Sequence, residues 1–240
     1  MKYKTSVTKI ENGHESIRGH DLDDLARDHS FVETIYLLLR GKLPSESEAR
    51  MLSALFVSAI DHGPGTASAQ TARITASAKN SMHTSIAAGI LAMGDRHGSA
   101  IEPAARLFAE HKDKKDLVEL IADLKTKKVR IPGYGHPFLE EDHRAKTLFE
   151  LAKELELSGV HIACSLRMHE ELNKISSKKL TLNIDGAMAA VLMDMGFDPG
   201  MMKGLFIIAR MPGLVAQVYE EQTNDVGIRR LPEDQIEYLS

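Results

Sequence analysis

Apolar side chains recur along this 240-residue chain with the period of an α-helix. Leu52, Leu55, Phe56, Ala59 and Ile60 fall at i, i+3, i+4, i+7 and i+8, one stripe on one helical face. Pro44 and Ser45 precede that stripe, with Glu48 three residues after the serine. This is the pattern of a capping box, in which hydroxyl and carboxylate each satisfy a backbone N–H at the helix start. Phe31 to Arg40 reads as another helix, ended by Gly41. Leu117, Leu120, Ile121 and Leu124 repeat the helical spacing, as do Leu148, Leu151, Ala152 and Leu155. Strand signals are few: a loose alternation over Tyr3, Ser6, Val7 and Ile10, and a short extended run from Leu180 to Ile184. No internal repeat, low-complexity tract or Pro/Gly linker divides the chain. The pattern predicts an all-α fold with a short N-terminal β element.

Four interruptions in the helical pattern carry polar chemistry. Asp61-His62-Gly63-Pro64-Gly65, Gly94-Asp95-Arg96-His97-Gly98 and Ile131-Pro132-Gly133-Tyr134-Gly135-His136-Pro137 each set a histidine in a Gly- or Pro-rich turn. Asn183-Ile184-Asp185-Gly186 sets a carboxylate at the start of an apolar helix. Such turns let backbone approach a ligand, and helix N-termini favour anionic groups.

Composition narrows what the ligand and setting are. The formal net charge is −4, so nothing draws the chain as a whole to nucleic acid or an anionic membrane, and an anionic ligand needs a local basic pocket. Aromatics are only 5% and Trp is absent, which leaves Ala, Leu, Ile, Val and Met to fill the core. The single cysteine, Cys164, excludes an intrachain disulfide framework and a multi-cysteine metal site, and its setting in VHIACSLRMHEEL reads as a buried small hydrophobe. The N-terminus lacks the apolar stretch of a secretory signal, and apolar runs such as Ser85 to Met93 are far short of a bilayer span. A cytoplasmic protein is expected.

Eleven histidines invite a metal reading, but there is no HExxH, and His136 and His143 are separated by a proline and the acidic run Glu140-Glu141-Asp142. No metal is expected. His14, His20, His29, His83, His111, His161 and His169 read as solvated or locally satisfied side chains. No Walker loop, nucleophile elbow or dinucleotide fingerprint is present. From the residues alone, His62, His97, His136 and Asp185 are four titratable groups at chain breaks, a weak indication of a site that helix caps and turn hydrogen bonds would equally explain.

A family resemblance sharpens this picture. ESIRGHDLDDLARDHSFVETIYLLLRGKLPSESE is similar to the segment by which citrate synthases enter their large domain. DHGPGTASAQTARITAS, GDRHGSA, IPGYGHPF, NIDGAMAAVLMDMGF, LFIIARMPGLVAQ and IRRLP resemble further segments of that superfamily, in family order and over nearly the whole chain. The chain lacks the substantial N-terminal helical region of citrate synthases, and its "GDR" before the histidine is more similar to citryl-CoA lyases and the matching module of ATP-citrate lyases.

The resemblance implies a two-lobed helical fold, with residues 1–98 and 197–240 forming a large domain and 99–196 a small one. It implies cleavage of citryl-CoA to acetyl-CoA and oxaloacetate, with citrate or 2-methylcitrate synthase chemistry, or a non-catalytic subunit beside a citryl-CoA synthetase, as alternatives. His97 would hydrogen-bond the thioester oxygen of the enolate, Asp185 would exchange the proton on the acetyl methyl carbon, and His136 would bind the tertiary hydroxyl that becomes the ketone. Arg144 (matched across a one-residue gap), Arg210 and Arg230 would hold substrate carboxylates, with His62 as a further donor. In the family the counterpart of Arg230 comes from a neighbouring subunit, which implies a homo-oligomer with a composite site; Arg229 reads as solvated. Lys127, Lys128 and Arg130, with Lys125 beside them and the Pro132-Gly133-Tyr134-Gly135 turn after them, would hold coenzyme A. No permanently bound cofactor is expected; the coenzyme A thioester is substrate.

Overall fold

The computed structural model describes residues 2–127, 129–136 and 140–239. Among these it contains eleven α-helices and one small sheet. The expected N-terminal β element is a three-stranded antiparallel meander, β1 (Thr8–Glu11), β2 (His14–Ile17) and β3 (His20–Asp21), in the order β1-β2-β3. Thr8 pairs with Ile17 and Ser16 with Asp21. Arg18 ties the meander to the helical body, donating from Nε and a terminal nitrogen to the Leu38 carbonyl at 3.1 and 3.0 Å.

The first helices begin and end where local chemistry dictates. After α1 (Leu22–Asp28) comes α2 (Phe31–Arg40), opened by a Ser30/Glu33 capping box and closed by Gly41 in the left-handed conformation at φ 74°. The Ser45/Glu48 box opens α3 (Glu46–Ala59). The stripe on α3 faces inward at Leu52, Leu55, Phe56 and Ala59, with Met51 buried beside them, but Ile60, the C-cap, is exposed. Burial of this kind is worth about 1.5–3 kcal/mol for each large apolar side chain.

Helices α4 (Ala67–Ser77) and α5 (Met82–Leu91) form a closely packed hairpin. A Cβ at Gly89 would stand 2.9 Å from the Ser68 carbonyl oxygen, so the glycine permits the approach. Then follow α6 (Ile101–His111), α7 (Val118–Thr126), α8 (His143–Glu154), α9 (Val160–Ile175), α10 (Ile184–Asp194) and, after a 3₁₀ turn at Pro199–Met201, α11 (Met202–Asn224). The central core gathers residues of α2, α3, α6, α8, α9, α10 and α11, and α10 runs through it with Ala187, Ala189 and Ala190 fully buried. A satellite core joins α4 and α5 to the later part of α11 through Ala72, Ala76, Leu214 and Val218.

Helix α11 with its preceding turn is long and apolar enough, by length and composition, to cross a bilayer. The short apolar runs of the sequence do not anticipate it, because Lys203 and Arg210 interrupt the stretch. Leu205, Phe206, Ala209, Leu214 and Val218 are buried in the two cores, and Arg210 is buried with them.

The minor histidines mostly find local partners. His161 Nδ1 lies 2.7 Å from Asp194, and His169 Nε2 lies 2.7 Å from the Leu180 carbonyl oxygen. His111 departs from expectation: it is buried, and its Nδ1 has no hydrogen-bond partner among the described residues. Cys164 is buried as expected.

Candidate active site

A cleft of about 940 Å³ opens beside α4, α10 and α11. His62, His97, His136, Asp185, Arg144 and Arg210 all line it, though they are spread over some 150 positions of sequence. Each reaches the cleft for a local reason.

His97 sits in a tight turn closed by reciprocal backbone bonds between Gly94 and His97, of 3.0 and 2.8 Å. Its Nε2 is 2.7 Å from the hydroxyl of Ser68, a fully buried residue on α4. With the serine donating, the ring proton resides on Nδ1 and makes that nitrogen a donor. Burial first, then the charge of Arg210, holds the His97 pKa below the ordinary histidine value. The imidazole is therefore neutral at pH 7.

The loop carrying Gly133 to His136 is stitched to the segment before α10. Gly135 N donates to the Thr181 carbonyl at 2.7 Å, Asn183 N to the Gly133 carbonyl at 3.0 Å, and the Asn183 side-chain amide to the Gly135 carbonyl at 2.8 Å. Of the extended run expected from Leu180 to Ile184, Leu182 makes a single β-bridge to Tyr134 and Asn183 is extended, whereas Ile184 already opens α10. Tyr134 anchors the loop inward: its ring is buried and its hydroxyl donates to the Ser165 carbonyl at 2.7 Å. Gly133 has φ +85°, and a Cβ on it would come within 2.8 Å of Gly186 Cα. A Cβ on Gly186 would lie 2.6 Å from the Gly133 oxygen. Loop and helix start meet there through two glycines.

Asn183 caps α10, accepting from Gly186 N at 3.1 Å, and sets Asp185 in the first turn at the cleft wall. Burial pushes the Asp185 carboxyl up to about 6, while Arg210 and Arg144 pull it down and Asp142 pushes it up. His136 and His62 stand edge to face with ring centroids 5.7 Å apart. Both have pKa values lowered first by burial. Arg144 lowers both further, and Asp142 opposes the shift at each.

The two arginines are held differently. Arg210 is 3% exposed; its Nε donates to the Ala59 carbonyl at 2.7 Å, and one terminal nitrogen has no hydrogen-bond partner among the described residues. A buried guanidinium with an unmet donor is a receptor for an anion. Arg144 is gripped by Asp142, with Nε to Oδ1 at 2.9 Å and a terminal nitrogen to Oδ2 at 2.8 Å; its other terminal nitrogen lies 3.5 Å from His62 Nδ1.

Of the expected coenzyme A contacts, Arg130, Pro132, Gly133, Tyr134 and Gly135 line the cleft. An adjoining cavity of about 480 Å³ shares Arg130, Tyr134, Gly135 and His136 and adds Lys125 and the apolar Val129, Ile131, Leu172, Ile175 and Leu180. Lys127 lines neither cavity and pairs with Asp123 at 2.7 Å. Lys128 lies outside the described residues. Arg230 is not brought to the cleft of its own chain; it follows Arg229 on the exposed C-terminal segment. Arg229, expected to be solvated, instead makes a bidentate pair with the buried Glu221 at 2.6 and 2.8 Å.

Two residues of this site escape sequence reading. Ser68 is one serine in a small-residue helix, and Asp142 ends an exposed-looking acidic run. Only the DxR spacing of Asp142 and Arg144 could have hinted at their pairing.

The model of the citrate synthase C-terminal domain family matches residues 1–55 and 44–231. The chain belongs to the citrate synthase family. Among solved structures it is similar to a citryl-CoA lyase from Hydrogenobacter thermophilus, with 43% identity and a TM-score of 0.93, covering 99% of this chain and 94% of that one. It shares its fold with ATP citrate lyase from Methanothrix soehngenii, solved with citrate and coenzyme A, at a TM-score of 0.87 and 24% identity over 100% of this chain and 42% of that one. It is also 28% identical over 198 residues to ATP-citrate synthase beta chain protein 1 of Oryza sativa subsp. japonica, covering 74% of this chain and 32% of the relative. The chain thus spans about a third of the length of that relative.

Proposed function

We propose that this citrate synthase family member cleaves citryl-CoA to acetyl-CoA and oxaloacetate. The observation that carries the reading is one cleft lined by three imidazoles whose pKa values are all lowered, a carboxyl whose pKa is raised to about 6, and a buried arginine with an unmet donor. It is supported by 43% identity, along nearly the full length, to a citryl-CoA lyase.

His136, a neutral base, takes the proton of the tertiary hydroxyl as the bond between the carbinol carbon and the thioester methylene breaks. The bond electrons pass into the thioester, and the enolate oxygen is met by the His97 N–H. Asp185 then delivers its proton to the enolate carbon, giving the acetyl methyl group. Arg210 and Arg144 hold carboxylates of the oxaloacetate half. Acid–base and oxyanion contributions of this kind are each typically about 10²–10⁴ in rate. His136 is left protonated and Asp185 ionised, and the proton passes back through solvent once the products leave; no water attacks the acyl carbon, so the thioester survives. Closure of a small lobe (99–196) on a large one (1–98 and 197–240) would keep water out. Arg130 and the 132–135 turn would bind the coenzyme A portion.

Incubation of the purified protein with synthetic citryl-CoA, with products separated by chromatography, tests the reading. Acetyl-CoA and oxaloacetate should form in equal amounts and faster than free citrate. Predominance of free citrate and coenzyme A would assign synthase-type chemistry, and no turnover would leave a non-catalytic subunit.

The same reading extends to assembly and place. Ile74, Leu91, Val215 and Tyr219 are exposed on α4, α5 and α11, and Val226, Ile228 and Leu231 on the C-terminal segment, which suits a homo-oligomer in which Arg230 enters a neighbour's cleft. Sedimentation at equilibrium tests the oligomer, and co-purification from native extract tests a citryl-CoA synthetase partner. With its one cysteine buried and unpaired, the chain suits the reducing cytoplasm.

A further inference from the structure

Asp142 has no assigned role in the reaction just described, yet it is a heavily engaged carboxylate buried just behind the cleft wall. It is 3% exposed. Oδ1 accepts from the backbone N–H of Arg144 at 3.2 Å and from Arg144 Nε at 2.9 Å. Oδ2 accepts from an Arg144 terminal nitrogen at 2.8 Å and from the backbone N–H of Ile184 at 2.9 Å. Its own N–H donates to Thr181 Oγ1 at 3.2 Å, on the segment stitched to the 133–136 loop. One carboxylate therefore bridges the start of α8, where it is the N-cap, and the start of α10, one residue before Asp185.

We propose that Asp142 is a positioning residue for the cleavage reaction, locking the Arg144 guanidinium and the Asp185-bearing first turn of α10 into one unit. The proposal rests on the citryl-CoA lyase reading. The bridge fixes where Arg144 presents its remaining nitrogen, and at what separation from the proton donor. It also places an anion among the cations that face Asp185, which are Arg210 from α11, Arg144 from α8 and Arg130 from the loop. Those cations favour the ionised carboxylate, and Asp142 opposes them. Asp142 itself stays ionised: burial would raise its pKa, but the bonds and charge of Arg144 and the N–H of Ile184 outweigh that and hold it below the ordinary value. Removing the Asp142 charge therefore lets Asp185 ionise at lower pH, leaving less of the acid form for cleavage.

Asp142→Asn keeps the shape and the acceptor for Ile184 N–H, and removes the charge. The expected result is a KM for citryl-CoA raised about ten- to hundredfold, the scale of charge-assisted hydrogen bonds. The alkaline limb of the kcat–pH profile should also move to lower pH. Asp142→Glu restores the charge one methylene away: the limb should return toward that of the natural protein while KM stays raised. Calorimetric titration with oxaloacetate should show the same loss of affinity in both variants, independently of turnover. A protein that binds oxaloacetate but does not cleave citryl-CoA sinks the lyase reading, while the titration still decides the role of Asp142. If Asp142→Asn does not fold, Asp142→Glu alone decides, through KM and the titration. Lowered melting temperature with KM, oxaloacetate affinity and pH limb unchanged would overturn the proposal, because a merely structural carboxylate would behave in that way.

Discussion

The cleft has two unlike walls. On the wall of α4 and α11, charge is fixed: Arg210 is buried against a backbone carbonyl, and His97 is braced by one hydroxyl. On the wall of α8 and α10 the groups are coupled: Asp142 grips Arg144, Arg144 reaches His62, and Asp185 is poised near pH 6 among them. The first wall is suited to holding an anion still, the second to moving a proton. A guanidinium already matched by a carboxylate makes a weaker anion receptor than one with an unmet donor.

Substitutions should separate the walls. The largest effect is expected from Asp185→Asn, which should keep the fold and lower kcat by about 10²–10⁴; near-normal citryl-CoA turnover would refute the proton-donor role. The pH profile tests the same wall in the natural protein. Cleavage needs Asp185 protonated, so kcat should fall as pH rises through about 6. It should also fall at lower pH, as histidines whose affinity for protons is already reduced become charged. Condensation run in reverse needs the carboxylate and should instead rise through the same region. Arg210→Gln attacks the fixed wall and should reduce kcat/KM about 10- to 100-fold, mostly through KM. Ser68→Ala should lower kcat about fivefold by loosening His97, with KM little changed, as steady-state kinetics would show. Far from both walls, Ser45→Ala should cost about 1 kcal/mol in urea unfolding and leave kinetics untouched.

That last substitution marks how far the sequence could be read. The α2 and α3 starts are encoded by residues three apart, and the boundaries expected for Phe31–Arg40 are those observed. The cleft histidines and Asp185 stood out because glycines and prolines break the helical period around them. Nothing in the periodicity brings position 62 to position 136, or Asp142 to Ile184, because those contacts depend on how loops and helix starts distant in sequence pack together. The family resemblance supplied the convergence that spacing could not. It did not reveal Ser68 or the grip on Arg144, and it assigned to coenzyme A a residue, Lys127, that lies on an exposed face beside Asp123 and lines neither cavity.

The glycine contact between residues 133 and 186 has a mechanical consequence. With backbone against backbone and no side chain to act as a cushion, neither the loop nor the helix start has slack with which to absorb a push from the other. On the proposed reading, a thioester bound at the 132–135 turn would press directly on the first turn of α10, which carries Asp185. Occupancy of the turn would then be felt at the acid, as pressure on one jaw of a vice is felt at the other.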